Sequence, residues 1–141
     1  MRLWHHDIIE LLPKSQLLAQ WRELNSIFAK EDRHILINYI YDYPKEHLYT
    51  YTQLVLNEMK KRGFTIRTFD KMNRYFEGVD VNKKVEHPFA THHNDEYFEI
   101  CYFNLKEKYL RGQKDFEESR FYALDERYKS IKSIQATKDV L

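Results

Sequence analysis

Residues 14–30, KSQLLAQWRELNSIFAK, follow Pro13 and carry the clearest pattern in the chain. Proline suits the first turn of a helix, where its missing N–H would have no partner anyway. Leu17, Trp21, Leu24 and Phe28 recur at i, i+4, i+7 and i+11, one face of a 3.6-residue period. The spacing predicts an amphipathic helix whose apolar stripe faces a core.

Two more segments repeat the pattern. Pro44 precedes KEHLYTYTQLVLNEMKKRG, residues 45–63, in which Leu48, Tyr51, Val55 and Met59 form the apolar stripe. Glu46 stands near its positive end, Lys60, Lys61 and Arg62 stand near its negative end, and Gly63 is a natural stop. Asn94 is placed to cap DEYFEICYFNLKEKYLRG, residues 95–112, with Phe98, Tyr102, Leu105 and Tyr109 turned inward. Between them, HILINYIYDY (His34–Tyr43) reads equally as a helix or a buried extended stretch. A short helix is expected near Phe69–Phe76, and residues 77–93 read as loop. Phe121, Leu124, Tyr128, Ile131 and Ile134 give a terminal helix at the same period.

With 141 residues, 43% of them hydrophobic and only three glycines and three prolines, the chain fits one compact all-α domain. About three long helices with connecting short helices and loops are expected over 1–141, with 115–141 as a C-terminal helical extension. Cys101 is the one cysteine, so no disulfide can form within the chain, and it reads as a small core residue. The start, MRLWHHDII, lacks the basic and long apolar regions of a signal peptide, and no apolar run approaches the roughly 20 residues of a membrane span. A cytoplasmic monomer with no membrane partner is therefore expected. There is no Gly-rich phosphate loop, nucleophile elbow or CxxC pair, which argues against nucleotide-binding, kinase and thiol-redox functions.

A net charge of +1 rules out a protein that coats nucleic acid through overall basicity. Local excess remains: Lys60, Lys61, Arg62, Arg67, Lys71 and Arg74 face only Asp70, interleaved with Phe64 and Phe69. That mixture suits phosphate contacts with stacking, and equally a solvated helix end. On the first helix, Arg22 and Glu23 flank a strip containing the small residues Ala19 and Ser26. From spacing alone they read as solvent-facing helix charges.

Three blocks give those charges a second meaning. The start MRLW, the helix segment QLLAQWRELNSIF (Gln16 to Phe28) and KKRGF (Lys60 to Phe64) together resemble the pyrimidine-dimer DNA glycosylase/abasic-site lyase family. The similarity extends to phage pyrimidine-dimer endonucleases and to bacterial relatives with an MRLWH-type start. The resemblance implies a base-excision enzyme for damaged double-stranded DNA that needs no cofactor. It implies that an N-terminal amine, here that of Met1, attacks the sugar C1′, forms an imine and leads to strand cleavage by β-elimination. An α-amine has an ordinary pKa of about 7.7–8.0, so it retains a useful neutral fraction at pH 7. The resemblance makes Glu23 the catalytic carboxylate and Arg2, Arg22, Lys60, Lys61 and Arg62 the DNA contacts. Met1 stands where the phage family presents a threonine amine, and Ser26 stands where it carries an arginine.

Two other readings compete. Seven histidines, including the pairs His5–His6 and His92–His93, suggest a metal-dependent hydrolase, but their spacing matches no metal motif and no metal is expected. A non-catalytic DNA- or protein-binding module of the same fold is the other alternative.

Overall fold

Pro13 takes the cap position ahead of the first helix, α1 (Lys14–Lys30), and its carbonyl accepts the Leu17 N–H at 3.0 Å. Pro44 does the same for α2 (Lys45–Lys61). A computed structural model describes the backbone of residues 1–140 and the side chains of residues 1–138. It continues with α3 (Asp70–Tyr75), α4 (Asp95–Leu110) and α5 (Glu118–Val140), and 3₁₀ turns at Ile9–Leu11 and Asn38–Asp42. Among the described residues there is no strand, so the domain is all-α. No described helix is long and apolar enough to cross a membrane.

The helix ends follow local chemistry. Asn94 Oδ1 accepts the Tyr97 N–H at 2.9 Å and closes the start of α4. At the end of α2, Gly63 adopts φ +81°, and the Gly63 and Phe64 N–H groups bond the Lys60 and Met59 carbonyls. Gly112 adopts φ +85° and ends α4 in the same way, through the Tyr109 and Lys108 carbonyls. This left-handed position favours glycine because a Cβ there is strained.

α1 packs on α2 and α3, while α4 packs on α5. Tyr109 stacks on Phe121 and Tyr102 on Tyr128, each pair with ring centroids 4.0 Å apart. The N-terminal segment joins the two halves. The Leu3 carbonyl accepts the Tyr97 hydroxyl of α4 (2.6 Å), the Trp4 N–H donates to Gln20 of α1 (2.9 Å), and the Asp7 carbonyl accepts Arg127 of α5 (2.6 Å). Leu3, Ile8 and Leu12 from this segment are wholly buried beside Leu17, Leu24, Tyr51, Val55 and Leu105.

One expectation needs correcting in detail. His34–Tyr43 is neither a regular α-helix nor a buried strand. It forms a turn followed by the 3₁₀ helix, with Ile37 and Ile40 buried three residues apart and Ile35 86% exposed. The terminal helix expected within 115–141 is α5, which with α1, α2 and α4 makes four long helices among the described residues; Leu141 lies outside them.

Candidate active site

Side chains from three helices hold the start of the chain in place. Gln20 is fully buried on α1. Its Oε1 accepts the Trp4 N–H, while its Nε2 donates to the Arg2 carbonyl at 3.1 Å and to Glu23 Oε2 at 3.0 Å. The Tyr51 hydroxyl from α2 lies 2.6 Å from the Trp4 carbonyl and 2.8 Å from Gln20 Oε1, sharing its proton between them. Residues 2–4 are thus fixed on α1, α2 and α4 at once, and Met1 comes to lie beside Glu23.

A cleft of about 270 Å³ opens there. Met1, Arg2, Ala19 and Glu23 line it, together with Leu36 from the turn before the second 3₁₀ helix and Asn104 and Lys108 from α4. Desolvation raises the Glu23 carboxyl above the usual carboxylate range. The positive N-terminus, the Arg2 backbone N–H, Arg22 and Gln20 oppose that rise. The carboxylate is therefore half-buried and faces a cation, an arrangement that can stabilise developing positive charge and exchange a proton.

The expected site residues divide into two groups. Met1, Arg2 and Glu23 converge on the cleft. Arg2 holds its guanidinium 5.8 Å from the ring centroids of both Trp4 and Tyr97. Arg22 is exposed, close enough for its charge to act on Glu23, but it does not line the cleft. Ser26 also lies off the floor and bonds Asp32 instead. Lys60, Lys61 and Arg62 do not line the cleft. Lys60 lies beside a groove with Phe64, Ile66 and Phe69, and Lys61 borders a cavity with His6 and Asp7. Arg62 is tied into the fold, bonding Glu58 at 2.7 Å and the Leu12 and Glu10 carbonyls at 2.8 and 3.0 Å.

Sequence reasoning overlooked Gln20, Asn104 and Lys108. Gln20 had a readable signal, a polar residue three after Leu17 and four before Leu24, so on the buried face. Asn104 and Lys108 had none, because α4 reaches the cleft only through tertiary packing.

The histidines have mostly local partners. His5, His6 and Asp7 bring one ligand-type atom each within 4.8 Å of one another. However, His5 Nδ1 accepts the Asp7 N–H at 3.1 Å, and His6 Nδ1 pairs with Asp7 Oδ1 at 2.9 Å. His93 Nδ1 accepts the His6 N–H, so the proton of its neutral ring sits on Nε2, 2.6 Å from the Tyr39 hydroxyl. Burial, followed by the charge of neighbouring histidines, lowers the pKa of His93 to about 2. Burial, followed by His6, lowers that of His5 to about 4.

Neither the search of curated proteins nor that of solved structures returned a match. The family model described as pyrimidine dimer DNA glycosylase matches residues 1–72, a span that includes Met1, Arg2, Gln20 and Glu23. That match covers just over half of the chain, which therefore belongs to this family of DNA-repair glycosylases, proteins that bind damaged DNA.

Proposed function

We propose that the protein is a base-excision glycosylase and abasic-site lyase that acts on damaged double-stranded DNA through the Met1 amine. The family name points to pyrimidine dimers as the lesion class. The observation that carries this reading is the shared cleft, which Met1 and Glu23 both line. The neutral amine attacks C1′ of the damaged nucleotide, and the C1′–N bond to the base breaks with the base taking the electron pair. Loss of a proton from nitrogen and opening of the sugar leave an imine between Met1 and C1′. Removal of a C2′ proton then expels the 3′ phosphate, which cuts the strand. Glu23 stabilises the cationic stages and shuttles the protons. Arg2 in the cleft and Arg22 beside Glu23 contact phosphates.

Borohydride added to untagged protein and abasic-site duplex should yield a covalent adduct whose peptide map carries the label on Met1. Salt-sensitive DNA binding without any adduct, beside an active lyase control, would convert the reading to a non-catalytic binding module. Glu23→Gln should slow strand cleavage by about 10²–10⁴-fold with DNA affinity nearly unchanged. Wild-type cleavage by this variant would remove Glu23 from the mechanism.

A further inference from the structure

A second cavity, of about 560 Å³, opens where the end of α1 meets α2 and α3. Lys30, Lys45, Lys71 and Arg74 line it, Phe28 and Tyr75 provide aromatic walls, and Glu31 is its one carboxylate. Glu31 accepts the Tyr75 hydroxyl at 3.1 Å, and Lys45 Nζ lies 4.1 Å over the Tyr75 ring. Lys30, Lys71 and Arg74 are exposed, and among the described residues none of their side chains forms a hydrogen bond or ion pair. Like charges gathered around a concavity repel one another, and an anionic ligand removes that cost.

The position of the cavity selects the anion. Lys30 follows Glu23 by seven residues on α1, which returns it to within about 20° of the same face and about 10 Å along the axis. A backbone that presents a lesion to Glu23 can therefore reach the cationic cavity within a few phosphates. We propose that this cavity is a phosphate-binding site that grips the DNA backbone on one side of the lesion held at Met1 and Glu23. The inference rests on the functional reading above and deepens it. The Lys71 and Arg74 half of the basic stretch supplies this grip, together with Lys30 and Lys45 from other helices.

The test is fluorescence anisotropy of a labelled duplex with a central abasic site, measured at several salt concentrations. For the Lys30→Ala/Lys71→Ala/Arg74→Ala variant, the slope of log affinity against log salt should become shallower by about two to three. Each single substitution should account for about one of those units. Shortening the duplex on one side of the abasic site should erase the difference between variant and wild type, while shortening the other side should preserve it. A folded variant with the wild-type slope overturns the proposal, as does an equal response to both truncations. If wild-type protein gives the adduct while the variant slope is unchanged, only the phosphate site falls. If wild-type protein neither binds DNA nor gives the adduct, the functional reading falls and takes the site with it.

Discussion

At Gln20 one buried amide bonds Trp4, Arg2, Glu23 and Tyr51, and so couples the position of the amine to that of the carboxylate. Gln20→Met keeps the length of the side chain and removes those bonds. The Trp4 N–H then lies buried without a partner, at a cost of about 1–3 kcal/mol, and the Arg2 carbonyl loses one donor. Loss of stability alone does not distinguish a positioning residue from a structural one, whereas the pH profile does. The Gln20 N–H favours the ionised form of Glu23, so its loss should move the acidic limb of the cleavage profile to higher pH. Imine formation at saturating DNA should slow by about ten- to a hundredfold, because the reacting groups lose their alignment. A folded Gln20→Met protein with the wild-type rate and acidic limb would reduce Gln20 to a packing role.

Among the elements, those whose bonding is local could be read from sequence. The apolar stripes of α1 and α2 and the Asn94 cap of α4 lie where the helical period and the capping rules put them. The loop over 77–93 shows where the sequence became opaque. It carries Phe89, fully buried at φ +59°, packed against Tyr39 and Tyr43. The Phe89 N–H donates to His47 Nδ1 of α2 at 3.0 Å, a long-range bond that no local pattern announces. Four histidines accept a backbone N–H through Nδ1, His47 and His93 across the chain and His5 and His34 from two residues further on. Their positions follow no sequence motif, because these rings bond irregular backbone, a task with no fixed spacing. The site was legible on α1, where Glu23 and the strip at Ala19 share a helix. It was illegible on its far wall, because the positions of Asn104 and Lys108 depend on how α4 packs.

Across the whole molecule, two of these histidines, His5 and His93, make stability depend on pH, and His93 ties the N-terminal segment to the loop before α4 through the His6 N–H. His5 and His93 are each 4% exposed, and their folded pKa values, about 4 and about 2, lie below the ordinary 6.5. Between those values and 6.5 the unfolded chain binds protons that the folded chain refuses. The contribution is therefore complete above the unfolded pKa and is lost as pH falls towards the folded values. Each histidine costs about 1.4 kcal/mol per pH unit across its window. Asp7, held below its usual range chiefly by the His6 hydrogen bond, acts in the same direction at lower pH. The raised Glu23 carboxyl acts in the opposite direction, because its protonation is easier in the folded state. The two histidines outweigh one partly opposed carboxyl, so the melting temperature should fall steeply between pH 6.5 and about 4.5. His93→Gln tests the cause. It should destabilise the protein at pH 8 by disturbing the bonds to His6 and Tyr39, yet flatten the dependence on acid by removing one titrating ring. A variant that loses stability at pH 8 and keeps the full wild-type slope below pH 6.5 would show that the acid sensitivity arises elsewhere.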